Sequence, residues 1–338
     1  MSRQEAYGYA VARIRAMELR LLDAGVMQRM VDAEDTASVL KILGETSYSS
    51  SLAAQTDGSD FDKLLESELL ATYSEIDSFV PDKELVALLR LQYDFHNVKV
   101  LLKSTFNAKS GGKTRFDLLT SLGSYPIDSL VSSIETDDYT LLPYGLNTLI
   151  PLCMSVWEQS KDALEVERML DERLYKTMLE TAQKLEMAGV IDWIRTRIDG
   201  ENIRTLVRLK RFGFDSAQVA PFLHSGGVID KNIAAPLIAE PFDSWGRVVE
   251  FSDFAKVIGS IDSSNGFSEL ILELEKALDD FYLDRLGIYR NAQAAPENVI
   301  SYLWAKEMEV KNVRMILVSK SSNGDQDSLR RLLRHGYA

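Results

Sequence analysis

Clustered carboxylates are the first candidates for chemistry in this sequence: Glu135, Asp137 and Asp138 fall together, and Asp279 and Asp280 are adjacent. Two acids held at the right separation can divide proton donation from nucleophilic or basic attack, as in glycoside hydrolysis. The chain carries 51 Asp and Glu against 38 Lys and Arg, a formal charge of −13, and in so acidic a sequence neighbouring carboxylates read first as solvated helix faces. Ser110-Gly-Gly-Lys113-Thr114 has the ending of a phosphate-binding loop. The glycine such a loop needs five residues before Gly112 is Asn107, however, and helical sequence stands where the motif requires a strand. The segment reads as an interdomain connector. The three histidines, His96, His224 and His335, have no second ligand at metal spacing, and the single Cys153 excludes an intrachain disulfide. Gly-x-Ser-x-Gly, His-Glu-x-x-His and dinucleotide fingerprints do not occur. The expectation is a protein with no catalytic, cofactor-binding or metal-binding residues.

The side chains that do recur are of another kind. Asp94-Phe-His-Asn97-Val-Lys99-Val-Leu-Leu102, Asp199-Gly-Glu-Asn202-Ile-Arg204-Thr-Leu-Val207 and Glu309-Val-Lys-Asn312-Val-Arg314-Met-Ile-Leu317 share one phrase: acid, two residues, Asn, Val or Ile, a cation, one residue, two aliphatics. The asparagines are 105 and 110 residues apart. That is far beyond the roughly 20–50-residue period of a solenoid, so each unit can bury a core of its own. Upstream stands a second landmark, a leucine followed by an acid, at Leu65-Glu66, Leu170-Asp171 and Leu278-Asp279, preceding its asparagine by 32, 32 and 34 residues. Weaker matches at 32–48, 128–139 and 253–258 vary in spacing. Together they predict three homologous helical domains, over 1–108, 109–213 and 214–338.

Asparagine is a poor helix-interior residue, and among aliphatics its expected role is a core amide that bonds a neighbouring helix or a loop carbonyl. Stranding each of its partners would cost about 1–3 kcal/mol. Asn202→Leu is therefore expected to lower stability while leaving partner contacts intact. Lys99, Arg204 and Arg314 are expected to pair with carboxylates on neighbouring helices.

Apolar residues make up 46% of the 338, enough for sizeable cores. The negative balance repels nucleic acid and anionic lipid, and the local cluster Lys103, Lys109, Lys113 and Arg115 reads as a solvated loop. The longest apolar stretch, 149–157, is short of the roughly 20 residues of a bilayer span, and the charged N-terminus lacks a signal-peptide core. A cytoplasmic protein is expected.

The elements that must position the phrases read as helices throughout. Apolar residues at 61, 64, 65, 69, 73 and 76 line one face of a helix from Phe61 to Phe79, with Ser59 or Asp60 as N-cap. A second helix starts after Pro81 and carries the Asn97 phrase to about Phe106. The same hairpin returns over 164–187 and 189–211, with Gly189 as the break, and over 269–290 and 296–320, with Pro296 at the start. A helix from Arg3 to about Leu22 leads the chain. Loops are expected around Gly111-Gly112, 221–241 and 260–266, and the eight prolines fit helix starts or connectors. No alternating strand pattern is present, so the fold is all-α.

Taken together, these residues resemble the C-subunit family of archaeal and bacterial V/A-type rotary ATPases, relatives of the d subunit of eukaryotic V-ATPases. Tyr7-Gly-Tyr-Ala-Val-Ala-Arg13-Ile-Arg15-Ala-Met-Glu18 is similar to the family's N-terminal signature, Leu43-Gly-Glu-Thr-Ser-Tyr48 to its first-domain turn, and Tyr93-Asp94-Phe-His-Asn97-Val-Lys99 to its repeated phrase. Pro296-Glu-Asn-Val-Ile300, Lys306-Glu307 and Asn312-Val-Arg314-Met-Ile-Leu-Val318 continue it. The resemblance implies a funnel of three helical domains about a pseudo-threefold axis. It implies one copy per complex, between the central shaft of the D and F subunits and the membrane rotor ring, on the cytoplasmic face. It also implies a role in coupling ATP hydrolysis or synthesis to H+ or Na+ transport without catalysis. Two readings compete with it: a helical carboxylate-dependent hydrolase, revealed by substrate-dependent stabilisation, and an unrelated helical scaffold.

Overall fold

A computed structural model describes residues 3–54, 60–291 and 293–336, and among them there is no strand. In chain order the α-helices are α1 (Arg3–Glu18), α2 (Ala24–Asp32), α3 (Thr36–Leu43), α4 (Ser49–Ala53), α5 (Phe61–Phe79), α6 (Lys83–Lys109), α7 (Ile127–Glu135), α8 (Leu146–Ser160) and α9 (Ala163–Lys184). They continue with α10 (Ala188–Arg211), α11 (Ser216–Val219), α12 (Ala234–Ala239), α13 (Trp245–Val248), α14 (Phe254–Gly259), α15 (Phe267–Gly287), α16 (Pro296–Ser321) and α17 (Gln326–Leu332). Aspartates start many of them. Asp23, Asp35, Asp60, Asp162, Asp215 and Asp325 each accept a first-turn backbone N–H, which satisfies donors a helix cannot satisfy itself. Part of the acidic excess thus serves helix starts. Of the two N-cap candidates for α5, Asp60 fills the role, and Ser59 lies outside the described residues.

The chain divides into two compact units: Met1–Pro81 with Asp199–Leu223 and Ile229–Ala338, and Asp82–Ile198 with His224–Val228. In the first, α16 is buried over most of its length and packs against α1, α5 and α15. A helix that is buried nearly all round shows little amphipathic contrast, which is why its periodicity is faint in the sequence. In the second, α6 packs on α9 and α7, and α8 on α9. The Phe106 ring stacks on Trp157 with centroids 4.4 Å apart, and Cys153 is buried on the same helix as Trp157. Burial pushes the Cys153 thiol up to about 12, so it is an inert core group and no nucleophile.

Local departures from the sequence reading have local causes. The front helix stops at Glu18, before Leu22. The break after α9 falls at 185–187, with Glu186 in the left-handed region (φ 53°), and Gly189 is the second residue of α10. Pro151 sits inside α8 and is exposed, forgoing one main-chain hydrogen bond where its ring meets solvent. The 221–241 stretch holds 3-10 turns at Ala220–Phe222 and Lys231–Ile233 as well as α12. Gly111 has φ 80° just beyond the end of α6, inside the second compact unit.

Candidate functional site

The repeated asparagines are where the structure shows what the recurring phrase does. Asn97, on α6, is fully buried. Its Nδ2 donates to the Thr120 carbonyl at 2.8 Å, and the Thr120 N–H donates back to its Oδ1 at 2.9 Å. Asn312, on α16, does the same with Arg334: Nδ2 donates to the carbonyl at 3.1 Å, and the Arg334 N–H donates to Oδ1 at 2.8 Å. A carboxamide offers one donor and one acceptor side by side, so it can satisfy both main-chain groups of a single residue. Aspartate lacks the donor and leucine lacks both. Asn202 is buried on α10.

The acid three residues earlier holds a second point of main chain. Asp94 Oδ1 accepts from the Tyr125 N–H at 2.9 Å, and Asp199 Oδ1 accepts from the Ile229 N–H at 3.1 Å. Glu309 takes its N–H from the front of the chain, Leu22, at 2.5 Å. It also accepts from the Tyr48 hydroxyl at 2.8 Å and pairs with Lys306 at 2.7 Å. Lys306 lies 2.9 Å from Glu68, which accepts from Ser51, and its ammonium sits 4.3 Å from the Tyr48 ring centroid. One cation between two carboxylates, all buried, ties α16 to α5.

The cation of each phrase reaches the helix that carries a leucine-acid landmark. Lys99 pairs with Asp171 on α9 at 2.5 Å, Arg314 with Asp62 on α5 at 2.8 Å, and Arg204 with Glu201 on its own helix and Glu275 on α15 at 3.9 Å. Leu65, Leu170 and Leu278, the leucines of that landmark, are all buried. In sequence terms the first copy's cation meets the second copy's helix, the second meets the third's, and the third meets the first's.

Asp94 carries a perturbation with an electrostatic consequence. Burial raises its carboxyl above the ordinary value, against the opposing pull of the Tyr125 and Ser124 N–H groups, and its Oδ2 has no hydrogen-bond partner. A raised folded-state value favours folding below the ordinary carboxylate range, and that contribution is lost as pH rises through the folded value. Asp94→Asn removes this dependence. Urea midpoints measured from about pH 4 to pH 7 are expected to show the parent losing ground to the variant; a parent that gains would show that the charged form is the stabilising one.

The carboxylate clusters have structural occupations. Asp137 accepts from the Tyr139 hydroxyl, Asp138 from the Thr140 N–H, Asp279 pairs with Lys311 and Arg334, and Asp280 accepts from the His335 N–H and pairs with Lys276. No group of three or more His, Cys, Asp or Glu among the described residues could hold a metal ion.

A third landmark was hidden in the sequence. Val39, Leu130 and Trp245 are buried, and each precedes by nine residues another buried residue, Tyr48, Tyr139 or Phe254.

The ATP synthase (C/AC39) subunit family matches residues 10–332. The chain belongs to this family. It is 24% identical to the C subunit of the A-type ATP synthase of Methanocaldococcus jannaschii, over 97% of this chain and 86% of that protein. It is 22% identical to the C subunit of the V-type sodium ATPase of Enterococcus hirae, over 96% of this chain and 97% of that protein. With the A-type ATP synthase C subunit of Desulfurococcus sp. the identity is 25%, over 92% and 85%. The family is a non-catalytic accessory subunit of the A/V-type rotary ATPase, and the chain is part of that complex. No helix among the described residues is long and apolar enough to cross a membrane.

Proposed function

We propose that this protein is the central-stalk adaptor of its rotary ATPase, joining the shaft of the D and F subunits to the membrane rotor ring, one copy per complex, on the cytoplasmic face. It transmits rotation, and so couples ATP hydrolysis or synthesis to the movement of H+ or Na+. In this reading the adaptor is built of three blocks, 1–108, 109–213 and 214–338. The observation that carries this reading is the family match along nearly the whole chain, with relatives named as the C subunit of both an ATP synthase and a sodium ATPase. The chemistry of the phrases agrees with it. Their charged and amide groups are committed to fastening one helix or loop to another, which suits a part that must resist deformation.

The experiment is affinity purification of the tagged chain from native membranes. Shaft and ring subunits are expected with it, at one copy of the chain per complex; recovery with the catalytic head alone, free of shaft and ring, would refute the adaptor role.

A further inference from the structure

The front of the chain meets the last phrase through positions that correspond in part to those joining the third copy's front to the second phrase. Met27, Val31, Val39, Leu43 and Tyr48 each lie 206 residues before Ile233, Leu237, Trp245, Val249 and Phe254. Leu333 and Leu223 each follow their asparagine, Asn312 and Asn202, by 21 residues. Around Asp199 and Asn202 the small cavity is lined by Leu223, Ile233, Leu237 and Val249. Around Glu309 and Asn312 the corresponding cavity is lined by Leu333, Met27 and Val31. Each acid also accepts a backbone N–H, Asp199 from Ile229 and Glu309 from Leu22, and these donors differ by one position in the register.

One difference separates the two joints. Between Asn202 and Ile229 the chain is continuous, whereas Leu22 and Arg334 approach the last phrase from opposite ends of the sequence. The space between them is a cavity of about 170 Å³, against about 10 Å³ at the second phrase. Charged and polar side chains meet at this joint, with Lys306 between Glu68 and Glu309 and the Tyr48 hydroxyl on Glu309.

We propose that the docking of residues 22–48 on the last phrase is a self-contained recognition interface, specified by its own side chains, so that the order in which the three blocks are linked can change without changing the fold. Connection and recognition are then separate properties of this chain. A covalent link contributes effective concentration, and a flexible linker can supply that at any of the joints.

Two circular permutants of the full chain test it. In both, a Gly/Ser linker of about twenty residues, with a reach of roughly 25 Å, joins the old termini. One opens at Gly111-Gly112 and the other at Gly213-Phe214, both outside the main helices, and a Cβ at Gly111 or Gly213 would meet nothing within 4 Å. At least one is expected to unfold cooperatively from a state with the parent's helix content, and Glu309→Ala is expected to lower its stability as much as it lowers the parent's. If neither does so, connection is part of what specifies the third joint and the proposal falls.

Discussion

Replacing Lys306 by methionine is expected to destabilise the folded chain by about 3–5 kcal/mol, the range found when one partner of a buried ion pair is removed. Lys306 is 2% exposed, and its ammonium stands 2.9 Å from Glu68 and 2.7 Å from Glu309. Methionine matches the stem in size, so packing is nearly conserved and the loss is electrostatic. Two buried carboxylates would face each other across the site with only the Ser51 and Tyr48 hydroxyls and the Leu22 N–H to solvate them. Neutralising them should return much of the loss. The triple variant with Glu68→Gln and Glu309→Gln is expected to recover more than half, because amides tolerate burial better than charges. Urea denaturation of the three proteins checks this, and a single-variant loss below about 1 kcal/mol would mean that water or a rearranged cation replaces Lys306.

Asn312→Leu is the second large effect. It strands both the N–H and the carbonyl of Arg334, and at about 1–3 kcal/mol for each buried unpaired group the expected loss is about 2–6 kcal/mol. Asn312→Asp separates the two bonds, since it keeps the acceptor for the Arg334 N–H but has no donor for the carbonyl. It is expected to fall between leucine and the parent. Asn97→Leu should behave alike, because Thr120 is held by the same pair of bonds. Folded variants should still assemble with the ATPase. Unchanged melting together with lost assembly would make the asparagine a partner-binding residue instead.

The helical class was legible because period, caps and prolines agree, as in α5, whose apolar face and Asp60 cap are both written in the sequence. The phrase itself was legible for a related reason. Its asparagine is a residue type that helix interiors do not favour, so its recurrence beside the same acid and cation demands a cause. What they bind was not legible. Thr120 and Arg334 contribute only backbone groups, which leave no trace in residue type. The pairing of Lys306 with Glu68 was hidden too, because three charged residues in an acidic helical sequence read as solvated faces until burial shows otherwise. Gly189 misled for a simpler reason: a glycine is permissive of a break without requiring one, and Glu186 supplies the left-handed residue.

Purified rotary ATPase depleted of this protein and then given it back is the most direct test of a non-catalytic coupling role. ATP hydrolysis by the depleted enzyme is expected to persist while ion transport in vesicles is lost, and addition of the chain should restore transport. Transport that continues undiminished without it would contradict the account.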